Sequence, residues 1–490
     1  MIPVKAKSWI AALLLMMLIA AACSSDNDDD AAVPADAAPT TAPARPDDDP
    51  ANTEDDSADD SSAGDGTVDS DSRGDDVQPG DSGADGDQTD SAEPEPGEPT
   101  NEVTQVLKIG YAYPDVAAFA VLHDKFSIGD PEIQAASVLQ GWRRDGILPV
   151  NGIDIEIVYG KYNILSSDDK IGVCTQFAED DNVFAVIAGR DFQVGSECLA
   201  ARFGIPVIDS SGLAPSTYQR TAPWLFTVRA SEAQVLERFV AWADERGALD
   251  GKRIGVFWDT RSEEAVDQLR VSLAAVGQEI ASDLPSDGEG IGSPQDQIVV
   301  QRFVSDDVDF AILLVSTSSV TNFLASAESQ GYEPDLLAFE WANQLTDVST
   351  QSYPQLLIDG MEAMAMGRLG EIAAGFDQPP QALRCIENYE AYSGEEVSLV
   401  SPESGETIQT LFTCDLMALL LEGLKGAGPS PSPESFVAAL ETVTDFPLSL
   451  WGNLTWTPDD HAGIEQVRTV VWSTTCECWT AQGEFSDPLD

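Results

Sequence analysis

From residue 106 onward the chain alternates short, nearly continuous apolar runs with stretches whose apolar residues recur every three to four positions. That pattern predicts strands over 106–113, 153–159, 183–188, 205–208 and 224–228, interleaved with helices over 132–144, 168–180, 194–203 and 231–246. Ser231 is the cap of the last helix, with Val235, Phe239 and Trp242 at helical spacing behind it. The alternation continues through 253–258, 263–276, 295–304, 308–315, 320–329 and 336–339. Runs dense in Val, Ile and Phe, separated by helices, are the pattern of doubly wound parallel sheets. The repetition is too long for one open sheet of ordinary size, so it predicts two α/β lobes in series. After residue 380 the rhythm changes. Helices are expected over 382–392, 408–424 and 434–440, then strands at 454–457, 469–473 and 477–480 as an antiparallel edge.

The first hundred residues follow neither period. Lys5 and Lys7 precede an apolar run from Trp9 to Ala22, too short for a typical spanning helix of about 20 residues and suited to a signal segment. Its end, Ala20-Ala21-Ala22-Cys23-Ser24, resembles the bacterial lipobox, in which the cysteine is lipidated; Ala20 stands where that pattern prefers leucine. The expectation is a lipoprotein signal over 1–23 with Cys23 as the anchor, against an ordinary secretory signal cleaved nearby. Residues 24–102 hold 26 acidic and two basic side chains, three valines as the only large aliphatics, and no aromatic residue. Such a segment cannot offset its ordering entropy by burial, so 24–103 is expected to be a disordered acidic tether. Its Asp-rich runs miss the ligand positions of a calcium loop.

Charge and composition then exclude function classes. The formal charge is −60, and residues 103–490 alone carry 21 basic against 59 acidic side chains, a net −38. A partner bound through phosphates is excluded, since nucleic-acid affinity rests on basic patches. His123 and His461 cannot build a three-histidine metal site. No G-x-S-x-G elbow is present, and residues 247–253 imitate a Walker loop one residue short. No enzyme, metal or cofactor is expected. Apart from Cys23 there are six cysteines, consistent with disulfides outside the cell. Six permit fifteen connectivities. Nearest-neighbour spacing suggests Cys174–Cys198 and Cys385–Cys414. For Cys476 and Cys478 a strand would hold the Cα atoms about 7 Å apart, at the edge of disulfide geometry.

Several segments, in order, resemble type I periplasmic (substrate-binding) proteins of ABC transporters, especially the branched-chain amino acid, leucine-binding-like group. They are Lys108-Ile-Gly-Tyr-Ala-Tyr113, Phe184-Ala-Val-Ile-Ala-Gly189, Ala201-Arg-Phe-Gly-Ile-Pro-Val-Ile-Asp-Ser-Ser211, Lys252-Arg-Ile-Gly-Val-Phe-Trp258 and Trp451-Gly-Asn-Leu-Thr-Trp-Thr-Pro458. The resemblance implies an α/β fold of two doubly wound parallel-sheet lobes joined by three crossovers, after the tether. Lobe 1 would take about 104–226 and 360–445, and lobe 2 about 227–359 and 446–490. It also puts Cys174–Cys198 where that group often has a disulfide.

The implied function is a solute-binding lipoprotein, held at the outer face of the bacterial membrane or in the periplasm. It would capture an amino acid or related small organic compound between its lobes and deliver it to an ABC permease and ATPase. The alternative is a surface sensing or adhesion lipoprotein of the same fold with no transporter. The resemblance assigns Asp191, Phe192, Ser210 and Ser211 in lobe 1, and Trp258, Ser316 and Glu340 in lobe 2, to the ligand, with Glu340 facing its ammonium. Two departures bear on the ligand. Asp191 would repel a carboxylate by roughly 4 kcal/mol at 4 Å and effective dielectric 20. The first loop, 114–130, is long and carries Phe119, His123 and Phe126.

Overall fold

The computed structural model describes residues 102–115, 127–286 and 294–489. The expected signal segment with Cys23, the tether up to residue 101, and Phe119, His123 and Phe126 lie outside the described residues.

Strands β1 (Gln105–Pro114), β2 (Ile153–Tyr162), β3 (Ala185–Ala188), β4 (Val207–Asp209) and β5 (Leu225–Thr227) form one parallel sheet in the order β2-β1-β3-β4-β5. Every residue of β3, Ala-Val-Ile-Ala, is buried, as befits a strand covered on both faces. The connections carry α1 (Pro131–Arg144), α2 (Ser167–Thr175), α3 (Gln193–Glu197) and α4 (Pro215–Thr221). Helix α1 starts where it does because the Asp130 carboxylate accepts the N–H groups of Glu132 (2.9 Å) and Ile133 (3.3 Å), with Pro131 preset in the first turn.

Helix α5 (Glu232–Glu245) opens with a reciprocal Ser231–Gln234 capping box and leads to the second lobe. There β6 (Ile254–Asp259), β7 (Ile280–Ser286), β8 (Phe310–Leu314) and β9 (Asp335–Leu336) run parallel in the order β7-β6-β8-β9. Helices α6 (Glu263–Ala275), α7 (Pro294–Ser305) and α8 (Thr317–Gln330) join them. After Leu337 comes β10 (Ala338–Phe339), parallel to β11 (Glu362–Ala365). Two-residue strands β12 (Phe446–Pro447) and β13 (Asn453–Leu454) pair with each other, and β14 (Val467–Ser473) and β15 (Cys478–Ser486) add to β11 in antiparallel sense. One buried cluster runs without a break from Ile109 and Ile187 through Phe239 to Ile312.

Three features differ from the sequence expectation. The return to the first lobe, expected near residue 360, comes later. Glu362–Ala365 is too short and alanine-rich to read as a strand, yet it pairs with β14. The helical turn Glu371–Ala374 still packs on β15, and only α9 (Pro380–Ser393) and α10 (Gly405–Ala427) lie against α1. Of the strand expected over 454–457, only Leu454 lies in a strand; Trp456 instead buries its ring and donates Nε1–H to the Thr227 carbonyl at 3.0 Å.

The third difference concerns Cys476 and Cys478, which are bonded. Glu477 takes a left-handed φ of 53°, so the segment turns and the Cα atoms close to 5.2 Å. Cys174–Cys198 ties α2 to the helical segment Cys198–Arg202 that continues α3, and Cys385–Cys414 ties α9 to α10. Helix α10 is apolar and long enough to cross a membrane by composition, but most of it is buried among α1, α9 and α11 (Pro433–Leu440).

Candidate ligand cleft

In both parallel sheets the strand order reverses beside the strand that enters first, between β1 and β3 and between β6 and β8. Loops leaving the carboxyl ends of strands on either side of such a point diverge and leave a crevice. In the first lobe these positions, with the neighbouring loop after β4, present Arg190, Asp191, Ser210 and Ser211. In the second they present Asp259, Arg261 and Ser316. Two hydrogen-bonded contacts link the halves. The Ser216 N–H and hydroxyl donate to the Glu264 carboxylate at 3.1 and 2.5 Å, and Arg229 Nη2 donates to Asn343 Oδ1 at 3.3 Å.

Two arginines follow strands of the first sheet. Arg190 follows β3 and Arg229 follows β5. Burial, and next the charge of Arg229, push the Arg190 pKa down to about 10, an effect Asp191 only partly offsets. Neither arginine forms an ion pair among the described residues. Arg229 lies over the Trp451 ring at 4.6 Å, and its Nε is buried without a partner. Ser210, 2% exposed, and Trp451, 4% exposed, likewise keep Oγ and Nε1 without partners. Glu232 Oε2, at the start of α5, is a buried acceptor likewise without a partner; buried polar groups are nearly always hydrogen-bonded, so these open atoms call for a bound group.

The backbone explains why these groups meet. A Cβ on Gly212 would stand 2.2 Å from the Ala230 carbonyl oxygen, so only glycine lets the loop after β4 lie against the crossing segment that carries Arg229. Beneath that loop, the buried Asp209 accepts the Ser196 hydroxyl and the Ser211 N–H (2.8 Å), which fixes the loop's direction. Burial raises the Asp209 pKa to about 6. At the hinge, the buried Asp415 takes the N–H groups of Ser449 (2.7 Å) and Leu450 (2.9 Å) and so holds the bend leading to Trp451.

A family model described as periplasmic binding protein matches residues 150–477. The chain belongs to the periplasmic binding protein family. Its solved structural relatives include a leucine-binding protein from Thermotoga maritima at 14% identity, TM-score 0.60, covering 78% of this chain and 99% of that one. A solute-binding protein of an ABC transporter from Rhodopseudomonas palustris, in complex with 3,4-dihydroxybenzoic acid, matches at 14% identity, TM-score 0.57, covering 78% and 98%. A branched-chain amino acid ABC transporter protein from Thermus thermophilus with bound valine matches at 13% identity, TM-score 0.59, covering 78% and 97%. At these identities the likeness shows the fold. No curated protein sequence matches the chain. Family membership makes this a small-molecule-binding protein that works outside the cytoplasm.

In this periplasmic binding protein the residues expected at the ligand divide. Asp191, at a left-handed φ of 61°, stands beside Arg190 and acts on Lys170 and on Arg261 of the facing lobe. The expected repulsion of a carboxylate is therefore countered by cations around it. Ser210 and Ser211 sit at the crevice. Phe192 does not: its ring is fully buried, 4.9 Å from Tyr162 and packed onto Gly195. Trp258 turns away from the crevice, with Nε1 donating to Asp283 on β7 at 2.5 Å. Ser316 caps α8 through the Ser319 N–H (3.3 Å). Glu340 Oε2 accepts the N–H groups of Met366 (2.8 Å) and Gly367 (3.1 Å), so one face of the carboxylate binds a lobe crossover. His461 stacks on Phe226 at 3.9 Å and reaches the Leu225 carbonyl, a structural post.

Sequence reasoning missed Arg229 and Trp451. The available signal was an arginine directly after a short buried strand, but whether it lacks a counter-charge is decided only by the fold. A groove of about 480 Å³ beside β2, lined by Val106, Arg143 and Tyr392, contains none of the cleft residues.

Proposed function

We propose that the protein is an extracytoplasmic solute-binding lipoprotein, anchored through Cys23 and spaced from the membrane by its acidic tether. It captures a small organic molecule between its lobes and hands it to an ABC importer, without catalysis. Asp191, Ser210 and Ser211 contact the solute, together with Arg190 and Arg229. Glu340 holds the second-lobe side of the hinge. The observation that carries this reading is the set of buried polar atoms without partners on Ser210, Arg229, Glu232 and Trp451, on segments that follow the strands of the first sheet or join the two lobes. Family membership supports it from outside the site.

A solute that touches both lobes stabilises the closed arrangement and raises thermal stability by mass action. At 100 times its dissociation constant the gain is roughly 2.7 kcal/mol. For a chain this size that is a shift of a few degrees. A thermal screen of amino acids, amides, organic acids, sugars and amines on the mature chain tests the reading. At least one class should shift the melting temperature with saturation. Turnover of a screened compound by this protein would replace the reading with an enzymatic one.

A further inference from the structure

We propose that the Cys476–Cys478 disulfide is a thiol-exchange site, at which a small aminothiol attacks Cys476 Sγ and Cys478 is the leaving sulfur.

The first observation is that this bond does little for the fold. A disulfide stabilises mainly by closing a loop in the unfolded chain, and more so for longer loops. Cys174–Cys198 and Cys385–Cys414 span 24 and 29 residues, whereas Cys476–Cys478 spans 2. The turn between β14 and β15 is held by other means. Gln351 Nε2 donates to the Glu477 carbonyl at 2.9 Å, and Asp359 accepts the N–H and hydroxyl of Thr474 at 3.1 and 2.7 Å. On the β15 side, Asp347 accepts the Trp479 N–H at 2.9 Å, and Trp479 Nε1 donates to the Thr350 hydroxyl at 3.0 Å. None of these bonds needs the sulfurs joined, so the hairpin keeps its place when the disulfide opens.

The second observation is that the two sulfurs are not equivalent. Among the described residues Cys476 is the only exposed cysteine. Cys478 is 0% exposed, Cys174 and Cys385 are buried, and Cys198 and Cys414 are half-buried. Exposed disulfides are the labile ones, because exchange requires access to the attacked sulfur. A thiolate can reach Cys476 from solvent with Cys478 behind it. The third observation is charge. Glu477 and Asp359 at the turn are exposed carboxylates, and no basic side chain occurs from Ser473 to Trp479. Repulsion disfavours an anionic thiol there and favours one that carries an ammonium.

The exchange runs in two displacements. The attacking thiolate forms a bond to Cys476 Sγ, the Cys476–Cys478 bond breaks, and its electron pair leaves on Cys478 Sγ, which takes a proton from water. A second thiolate then attacks the incoming sulfur of that mixed disulfide and frees Cys476. Two small thiols are oxidised to their disulfide, and the protein disulfide is reduced to two thiols.

The test treats the oxidised mature chain, still folded, with cysteamine, followed by alkylation and peptide mass mapping. Cysteamine should appear first on Cys476, and later Cys476 and Cys478 should both alkylate while the other two bonds stay closed. Glutathione at the same thiolate concentration should react several-fold more slowly in low salt, with the gap narrowing in molar salt. After reduction, Cys478→Ser should take a cysteamine adduct on Cys476 from cystamine, and Cys476→Ser should take none on Cys478. Opening of either longer-range disulfide first, or of no disulfide before the chain unfolds, would overturn the proposal. Glutathione reacting as fast as cysteamine would overturn the choice of thiol, and an adduct on Cys478 would overturn the direction of attack.

Discussion

In a chain with 85 acidic and 25 basic side chains most arginines of the body pair with a carboxylate; among the described residues Arg190 and Arg229 form no such ion pair, and Asp191 partly offsets the charge of Arg190. Their place depends on one backbone contact. Gly212→Ala should push the loop after β4 off the Ala230 carbonyl, since 2.2 Å leaves no room for a methyl group. The expected outcome is a melting temperature several degrees lower and loss of any ligand-induced shift. An unchanged shift would show that Ser210 and Ser211 lie apart from the solute. Much of this site was not legible in the sequence. Ser210 and Ser211 could be placed because they follow a recognisable strand. Glu340 could also be placed, but its hydrogen bonds to the crossover at Met366 and Gly367 depend on a segment 26 residues away. Trp258 and Phe192 show what the sequence leaves open: in β6 residues alternate without revealing which face meets the helices, and Phe192, in the turn before α3, folds its ring onto Gly195 and Tyr162.

The elements themselves were far more legible. The strand expected over 183–188 and the helix over 231–246 match β3 and α5 because a wholly apolar run and a capped 3.6-residue period each leave one interpretation. What escaped was short or polar. Strand β7, Ile-Ala-Ser-Asp-Leu-Pro-Ser, is an edge strand with exposed positions, and β11 is four residues long. The disulfides give a test at this scale. Cys174–Cys198 spans 24 residues, and closing such a loop in the unfolded chain is worth about 3.5 kcal/mol in the chain-entropy treatment. Cys476–Cys478 closes almost no loop. Replacing Cys174 and Cys198 by alanine should lower the melting temperature several times more than replacing Cys476 and Cys478 by serine. Equal losses would mean that the turn at Glu477 organises β15 well beyond its own three residues.

Across the whole molecule, buried carboxyl groups and surface charge act in the same direction. Burial raises Asp209 and Asp415 to about 6, Glu232 to about 7 and Glu403 to about 8. Ordinary carboxylates titrate near pH 4, so between about pH 4 and 8 the folded chain holds protons that the unfolded chain releases. Stability therefore falls as pH rises through that window. Repulsion within a body of net −38 adds to the fall and is screened by salt. A higher melting temperature at pH 5 than at pH 8, with the gap narrowing in molar salt, is expected; the opposite slope would mean these carboxyls are not buried as described. The central claim is that the crevice holds a solute, and native mass spectrometry of the protein purified from its own host tests it most directly. The account predicts one small organic molecule per chain, released on unfolding and lost in Arg229→Gln. A chain of bare polypeptide mass under gentle desolvation, with no compound restoring a bound species, would contradict it.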